Sequence, residues 1–261
     1  MTDAECMALA EAAIDEVLPA PEERPAVLSQ AMRYAVGSGG KRIRPRICLY
    51  SALAVGGDPV DARYPAAAIE LLHNYTLVHD DLPAMDDDAE RRGRPSVWAK
   101  FGEANAILAG DALLSLAFKV AAMAPRRVAE IVGALGERAV GVVRGQVEDL
   151  RLAAGLEGAA DVDYVYRRKT SDLFVAAAEM GALAAGGSPA DVAKLGEFAL
   201  RLGLAFQYQD DLIDDDGPYS RERTAELAAE ATRDALAALD GLPGDTSALR
   251  GLASSLVGRK L

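Results

Sequence analysis

The sequence predicts an all-α protein. Hydrophobic residues make up 51% of the chain and aromatic residues only 5%, and the abundant alanine and leucine are strong helix formers. Apolar residues recur at three- and four-residue spacing, as an amphipathic helix requires, and no stretch alternates like a strand. The clearest periodic stretches are Ala66–Leu77, Ala104–Met123, Val128–Val147 and Tyr164–Leu183.

Glycine and proline divide the chain into about ten helices with short connections. The breaks fall at 36–40, 56–59, Pro83, 93–95, 155–158, 186–189 and 217–218. Ser188, followed by Pro189 and Asp191, is typical of a helix start. Neither a repeat nor a low-complexity linker divides the sequence, so we expect one helical-bundle domain over residues 1–261.

Composition restricts the partners and the location. The formal net charge of −12 argues against a nucleic-acid partner, which needs clustered basic residues. Cys6 and Cys48 are too few for a disulfide framework or a zinc site. The N-terminus lacks the pattern of a signal peptide, and no charge-free apolar run approaches about 18 residues. We therefore expect a cytoplasmic protein without a membrane span.

Two aspartate clusters, Asp80–Asp88 and Asp210–Asp216, contain ten of the 40 acidic residues. In the second cluster, Asp210 and Asp214 lie one helical turn apart on the same face. Carboxylates so placed repel each other and are costly to desolvate unless a cation lies between them. Oxygen ligands without nearby His or Cys favour Mg²⁺ or Mn²⁺. An exposed acidic surface is the alternative interpretation of either cluster alone.

In the first cluster, Asp80 and Asp86 are six residues apart, which places them on nearly opposite sides of an unbroken helix. Pro83 disfavours such a helix, and a loop at Leu82–Met85 would return Asp86 to the side of Asp80. The spacing leaves open whether Asp86, Asp87 or Asp88 is the metal ligand. Two clusters facing each other across a bundle would hold metal ions whose shells are completed by water and substrate phosphate.

Basic residues suited to such a phosphate occur in three places. Residues 41–46 carry four cations at a glycine-rich helix start, where free backbone N–H groups favour anions. Arg91 and Arg92 follow the first aspartate cluster, and Lys169 precedes Thr170 in mid-chain. Each of these three groups alone is equally compatible with a solvated surface. Together with the aspartate clusters they favour a diphosphate ligand.

In the order of the chain, these motifs resemble those of the trans-isoprenyl diphosphate synthases, the farnesyl and geranylgeranyl diphosphate synthase family. The matching segments are GGKRIRP at 39–45, LLHNYTLVHDDLPAMDDDAERRGRPS at 71–96, FGEANAILAGDALL at 101–114, GQ at 145–146, KT at 169–170 and GLAFQYQDDLID at 203–214. The resemblance implies an all-α fold around a deep central cavity, usually in a homodimer, with about three Mg²⁺ ions. It also implies Mg²⁺-dependent condensation of isopentenyl diphosphate with an allylic diphosphate, either dimethylallyl or geranyl.

Site residues are implied position by position. Metal ligands would be Asp80 and Asp86, with Asp81 in support, and Asp210, with Asp214 as a weaker candidate. The isopentenyl diphosphate group would be bound by Lys41, Arg44, His73 and Arg92. The allylic substrate would be contacted by Arg91, Lys169, Thr170 and Gln207, of which the last three are the catalytic candidates that steady a carbocation. We interpret His79 as structural.

Product length is set in this family by residues below the first aspartate motif. Tyr75 and Thr76 precede Asp80 by five and four residues, about one helical turn deeper. A tyrosine ring there would close the cavity early, which favours farnesyl diphosphate over geranylgeranyl diphosphate. The alternative is that Tyr75 serves only in packing.

The sequence departs from the family after the second aspartate motif. The usual longer, lysine-bearing segment is missing, and no lysine occurs between Lys194 and Lys260. Either the connection is short, or the sequence omits a stretch of it; Arg221 or Arg223 would be the substitutes for the lysine. A short connection favours a non-catalytic partner subunit, although such subunits lose an aspartate motif and both are intact here. A terpene cyclase is the other alternative, but it would not need Lys41, Arg44 and His73.

Overall fold

A computed structural model describes residues 1–156, 161–215 and 217–257, and it confirms the all-α prediction. Of the twelve α-helices in these residues, ten are 11 residues or longer, which matches the predicted number. They are α1 (Asp3–Val17), α2 (Ala26–Val36), α3 (Ile43–Ala54), α4 (Arg63–Asp80), α5 (Val97–Phe101), α6 (Glu103–Ala121), α7 (Val128–Ala153), α8 (Val162–Val165), α9 (Asp172–Ala184), α10 (Pro189–Asp214), α11 (Arg221–Ala238) and α12 (Ser247–Val257).

A 3₁₀ turn, a π-helix and a two-stranded hairpin complete the described chain. A 3₁₀ turn, Pro59–Ala62, leads into α4, and a π-helix, Tyr166–Ser171, joins α8 to α9. Strands β1 (Glu90–Arg91) and β2 (Arg94–Pro95) form a small antiparallel hairpin after the first aspartate cluster, which the sequence did not predict. Part of the predicted break at 155–158, together with Asp216 and Lys260, lies outside the described residues.

The ends of α10 follow from local sequence chemistry. Ser188 and Asp191 form a reciprocal capping box, with Pro189 in the first turn, so the predicted helix start is confirmed. At the other end, Asp215 adopts a left-handed conformation with φ of 57° and terminates the helix just after Asp214. The 26-residue helix therefore carries Asp210, Asp211 and Asp214 of the second aspartate cluster at its C-terminal end.

Helix α9 is the centre of the bundle. Every one of its residues is buried except Glu179, and it is surrounded by α3, α4, α7 and α10. A helix that is apolar on all sides is stable only when other helices cover it completely. The bundle built around α9 therefore positions α4 and α10, whose C-terminal ends carry the aspartate clusters.

The start of α9 carries a buried ionic group. The Asp172 carboxylate accepts hydrogen bonds from Arg138 of α7 at 3.1 Å and from Arg168 of the π-helix at 3.3 Å. Burial raises the pKa of Asp172, and the two guanidinium groups oppose that rise. This group ties α7 to the π-helix immediately beside Lys169 and Thr170.

Helix α6 contains an 18-residue stretch that is long and apolar enough to span a membrane and carries at most two charged residues. In the described chain, 39% of this stretch is buried. The sequence-based expectation considered only charge-free runs and did not identify it. Core helices of globular proteins have the same composition, so one such helix is weak support for a span. Its Ile107 and Leu108 are exposed, and so are Val140, Val143 and Val147 of α7.

Close contact between α7 and the π-helix requires a glycine at position 145. A methyl group at Gly145 would lie 2.4 Å from the backbone nitrogen of Lys169, a distance that real carbon atoms do not adopt. At Gly133 of the same helix, a methyl group would meet no atom within 4 Å. The two glycines therefore form a matched pair for testing the helix contact.

We expect Gly145→Ala to lower the free energy of unfolding by about 1–3 kcal/mol, because the helices must separate to accommodate the methyl group. Gly133→Ala should raise it by about 0.5–1 kcal/mol, because alanine is the better helix former and no contact is disturbed. Urea denaturation measured by circular dichroism gives both values. Equal effects of the two substitutions would contradict the close approach seen at Gly145.

Candidate active site

The C-terminal ends of α4 and α10 meet at a cavity of about 660 Å³. Ten of the fifteen predicted site residues line it. They are Lys41, Arg44, His73, Asp80, Asp86, Arg91, Arg92, Lys169, Gln207 and Asp210. Gly40, Ile43, Leu77 and Phe206 complete the wall. The tertiary fold thus gathers residues from both aspartate clusters and from all three basic stretches around one space.

The chain folds back after α4, as predicted from Pro83. The Asp86 backbone N–H donates to the Asp80 carbonyl at 2.9 Å, and Asp87 and Asp88 make similar bonds to Leu82 and Asp81. This loop places Asp86 on the cavity wall beside Asp80. Asp87 is exposed in a left-handed conformation with φ of 54°, and Asp88 is exposed near Arg91. Among the three candidates, only Asp86 lines the cavity.

Asp81 points away from the cavity. Its side chain is 3% exposed. Its carboxylate accepts a hydrogen bond from Arg91 Nε at 2.6 Å and forms an ion pair with Arg91 Nη2 at 2.5 Å. Its position therefore differs from the supporting metal contact that the resemblance implied. Since a carboxylate held by a guanidinium group fixes that group in turn, Asp81 orients Arg91 at the cavity wall.

In the second cluster, Asp210 lines the cavity, whereas Asp214 is exposed and does not. Asp211, which the sequence did not single out, is buried. Its carboxylate accepts hydrogen bonds from the Tyr166 hydroxyl at 2.7 Å and from Gln207 Nε2 at 3.2 Å. The predicted helical face therefore runs from Asp210 at the cavity wall to Asp214 outside the cavity, at the last residue of α10.

Of the four cations at 41–46, only Lys41 and Arg44 line the cavity. Arg42 is buried and pairs with Glu70 of α4 at 2.8 Å and with Glu11 of α1 at 2.7 Å. Arg46 pairs with Asp3 at 3.3 Å. Because α3 begins at Ile43, successive side chains diverge by about 100° around the helix axis, and two of them lie against other helices.

The wall that carries Arg44 and His73 has unsatisfied polar atoms. Arg44 Nε and His73 Nδ1 are buried and have no hydrogen-bond partner within the described chain. Burial, against the opposing charge of Glu70 and with a further contribution from Arg92, lowers the pKa of Arg44 to about 10. Burial and the nearby arginines also lower the pKa of His73, which is therefore neutral. Buried donors without partners are typical of a wall that binds an anion.

Lys169 reaches the cavity from the π-helix and pairs with Asp149 of α7 at 2.5 Å. The sequence reasoning missed Asp149. Its signal was the position three residues after the GQ pair, which places it one turn further along the same helix. Thr170 lies behind the wall, where its hydroxyl bonds to Gln207 Oε1 at 3.0 Å. Thr170 therefore orients Gln207 in this structure and does not line the cavity.

The carboxylates fit a divalent cation that is shared with a ligand. No three acidic, histidine or cysteine side chains in residues 1–156, 161–215 and 217–257 form a metal site by themselves. Burial raises the pKa of Asp80 to about 6, with Asp86 and Asp81 adding to the rise and Lys169 and Arg91 opposing it. Oxygen donors this few suit Mg²⁺ that keeps water and phosphate in its shell.

A second pocket of about 340 Å³ opens below Asp80, which borders both spaces. Its wall is predominantly apolar and is built by α4 and α7. Tyr75 and Thr76 line it, as do Leu82, Met85, Val142 and Val147. His79, whose Nε2 lies 3.0 Å from the Ile107 carbonyl, packs edge-on against Tyr75, which agrees with its structural interpretation.

The connection after Asp214 is short in this chain, because α11 begins at Arg221. Arg221 donates to the Leu212 carbonyl at 3.0 Å and to Asp215 at 3.2 Å, and Arg223 pairs with Glu226 at 3.0 Å. Neither arginine lines the cavity. In this structure neither arginine therefore reaches the cavity as a substitute for the missing lysine would have to.

Comparison with known proteins agrees with this geometry. The sequence matches the polyprenyl synthetase family profile over residues 25–223. It is 40% identical over 231 residues to geranylgeranyl pyrophosphate synthase 11 of Arabidopsis thaliana, covering 83% of this chain and 62% of that protein. It is 40% identical over 205 residues to farnesyl diphosphate synthase of Geobacillus stearothermophilus, covering 75% and 68% of the two chains. The chain thus spans about three fifths of the length of the plant relatives.

Among solved structures, an FPP/GFPP synthase from Zymomonas mobilis superposes with a TM-score of 0.88 at 33% identity, covering 97% of this chain and 98% of that one. The sequence match extends over more than half of the chain, and the structural match extends over nearly all of it. The cavity, its two aspartate-bearing helices and these matches together show that the chain belongs to the polyprenyl synthetase family.

Proposed function

We propose that this protein is a trans-prenyltransferase that condenses isopentenyl diphosphate with an allylic diphosphate, either dimethylallyl or geranyl diphosphate. The observation that carries the proposal is the pair of adjoining spaces on either side of Asp80. One is polar, with facing carboxylates and cations, and the other is a predominantly apolar pocket. A substrate with a diphosphate head and a hydrocarbon tail fills both spaces.

The polar space offers two binding regions for two diphosphates. Arg44, His73, Lys41 and Arg92 form one wall, which receives isopentenyl diphosphate. Asp80, Asp86 and Asp210 form the other region with Lys169 and Arg91, which receives the allylic diphosphate. Mg²⁺ bound at these three aspartates would supply the positive charge that stabilises the departing diphosphate.

The chain's own residues then serve the carbocation chemistry. Lys169 and Arg91 hold the leaving diphosphate. Gln207 lines the cavity with its amide held in place by Thr170 and Asp211. The apolar pocket excludes water from the allylic chain, which protects a carbocation from capture. No side chain is assigned as a base, since the departing diphosphate is the favoured proton acceptor in the family that the sequence resembles.

We infer that farnesyl diphosphate is the main product. Tyr75 lines the apolar pocket about one turn below Asp80, so its ring limits the depth available to a growing chain. The names of the relatives include both geranylgeranyl and farnesyl synthases, so similarity alone does not select the product. Thr76 lies beside Tyr75, and its hydroxyl bonds to the His73 carbonyl at 2.8 Å.

We also propose that the chain forms a homodimer through the exposed apolar faces of α6 and α7. Leu108 is 56% exposed and Val147 is 51% exposed, and an exposed apolar patch of this kind marks an interaction site. Val147 also lines the apolar pocket, so a second copy would close its outer wall. A monomer in sedimentation analysis at assay concentrations would contradict this proposal.

The single domain and the cytoplasmic location stay predictions.

The activity is tested with labelled isopentenyl diphosphate, Mg²⁺ and either dimethylallyl or geranyl diphosphate, with product length read by chromatography. We expect elongation of both primers. Asp80→Asn and Asp210→Asn should each lower kcat by about a hundredfold or more, because each removes a carboxylate that would hold the Mg²⁺ needed to stabilise the departing diphosphate.

Asp87→Asn is the matched control, since Asp87 belongs to the same cluster but does not line the cavity, and asparagine tolerates its left-handed backbone. We expect near wild-type turnover from it. Absence of elongation with either primer would overturn the proposal. A cyclic hydrocarbon released from a single prenyl diphosphate would indicate a terpene cyclase, and turnover only with an added synthase would indicate a partner subunit.

Tyr75→Ala should shift the product from farnesyl toward longer diphosphates, because removing the ring deepens the apolar pocket. Tyr75→Phe is the control, since it keeps the ring and should keep the product length. Both are measured as the ratio of product lengths with geranyl diphosphate as primer. An unchanged distribution in Tyr75→Ala would place the limit of the pocket elsewhere.

The raised pKa of Asp80 predicts a pH dependence of metal binding. Folded Asp80 keeps its proton up to about pH 6, above its usual value of 3.8, so its protonated form favours the fold at low pH and this contribution is lost as pH rises through about 6. Mg²⁺ binds only the ionised form. We therefore expect millimolar Mg²⁺ to raise the melting temperature more at about pH 7.5 than at about pH 5.

Asp80→Asn should remove most of this difference between the two pH values, while Asp87→Asn should leave it unchanged. Differential scanning fluorimetry of the three proteins with and without Mg²⁺ provides the measurement. The same Mg²⁺-dependent rise at both pH values in the wild-type protein would contradict the assignment of Asp80 as the titrating ligand.

A further inference from the structure

The short connection between α10 and α11 is tied to α8 through one carboxylate oxygen. Asp163 Oδ1 accepts a hydrogen bond from the Tyr208 hydroxyl at 3.1 Å and another from the Tyr219 hydroxyl at 3.1 Å. Tyr208 lies in α10, two residues before Asp210, and Tyr219 lies in the connection itself. Asp163 lies in α8, six residues before Lys169. One oxygen thus joins α8, α10 and the connection between α10 and α11. We call these three residues the tyrosine junction.

The tyrosine junction rests on a small hydrophobic cluster that is distinct from the main core. Leu204, Ala205 and Tyr208 of α10 pack there against Ala228 and Ala231 of α11. Tyr219 and Tyr166 pack against the same cluster. The Tyr166 and Tyr208 rings meet edge to face, with centroids 5.7 Å apart. The hydroxyl groups are therefore presented by rings whose positions are already restricted by packing.

The connection is held against α10 at two further points. Gly217 lies so close to Asp211 that a methyl group there would stand 2.8 Å from the Asp211 Cβ. Arg221 donates to the Leu212 carbonyl near the C-terminus of α10, which satisfies an end carbonyl of that helix. The connection from Gly217 onward is thus an ordered strap along the last turns of α10.

Two bonds to α8 and the π-helix restrict the rotation of α10 beside the cavity, and the strap adds its own bond to Asp163. Tyr208 and Asp211, three residues apart, face the segment that contains Asp163 and Tyr166, and both are bonded to it. Gln207 and Asp210, also three residues apart, line the cavity. Because a helix turns as a rigid unit, fixing the first pair fixes the direction of the second pair. On the other side, Asp163 holds the start of the segment that carries Lys169 and Thr170.

We propose that the tyrosine junction is a positioning device that holds the cavity-facing residues of α10 in register with the π-helix. Asp163 and Tyr219 are positioning residues, and they contact neither cavity. In a chain whose connection lacks lysine, this arrangement holds Asp210 and Lys169 in place through fixed contacts. The inference concerns turnover and so rests on the proposed function.

The experiment compares Tyr219→Phe, Asp163→Ala and Asp163→Asn with the wild-type protein. Each is assayed for kcat, for the KM of isopentenyl diphosphate, and for Mn²⁺ affinity by electron paramagnetic resonance in the absence of substrate. We expect Tyr219→Phe and Asp163→Ala to lower kcat and weaken Mn²⁺ binding by about tenfold or more, because residues that orient metal ligands have effects of this size. The KM should change by less than about twofold, since Arg44 and His73 lie on other helices.

Asp163→Asn should retain most of both properties, because its amide oxygen still accepts the two hydroxyl groups. Tyr64→Phe is the matched control. Its hydroxyl donates to the Glu16 carboxylate at 2.9 Å between α1 and α4, so it loses an equivalent hydrogen bond away from the tyrosine junction. The melting temperatures of all variants distinguish a loss of stability from a loss of side-chain positioning at the cavity.

Wild-type kcat and Mn²⁺ affinity in Tyr219→Phe would overturn the inference. So would an equal loss in Tyr64→Phe, or a loss in Asp163→Asn as large as in Asp163→Ala. The two proposals fail in different ways. An inactive wild-type protein would overturn the proposed function, and the Mn²⁺ titration would still decide the role of the junction.

Discussion

Repulsion between carboxylates that face each other across one cavity is the constraint on which the site depends. Asp80, Asp86 and Asp210 share this space, and burial already raises the pKa of Asp80. Such a group is stable only if opposite charges surround it and the backbone holds it in place. Lys169 and Arg91 supply charge at the wall. The negative charge that Lys169 and Arg91 leave uncompensated favours bound cations. Such cations would in turn attract the diphosphate that we propose as ligand.

The scaffold that holds this site is built from helix contacts made far from solvent. The almost completely buried α9 packs against α3, α4, α7 and α10, and glycine at position 145 lets α7 approach the π-helix. Ion pairs and a hydrogen bond then orient individual side chains. Asp81 orients Arg91, Asp149 pairs with Lys169, and Thr170 orients Gln207. The cavity-lining residues therefore rely on a surrounding layer of fixed partners, which is what a preorganised site requires.

The division between a polar and an apolar space fits the amphipathic substrate that we propose. Asp80 lies at the boundary, where the charged wall ends and the pocket with Tyr75 begins. The outer wall of that pocket is formed by valines of α7 that are exposed in the single chain. In the homodimer that we propose, the same valines would contribute both to the wall of the pocket and to the interface.

The sequence by itself determined the fold class, the family and most of the cavity residues, because helical periodicity, capping motifs and the order of the motifs are local properties. It also predicted the return of Asp86 to Asp80, since Pro83 disfavours a continuous helix. Only the tertiary structure separated residues that sequence spacing treats alike. It showed Arg42 paired with Glu70, Asp81 bound to Arg91, Asp214 outside the cavity, and Asp149 beside Lys169. These outcomes depend on which face each helix buries against its neighbours, and contacts between residues distant in sequence decide that.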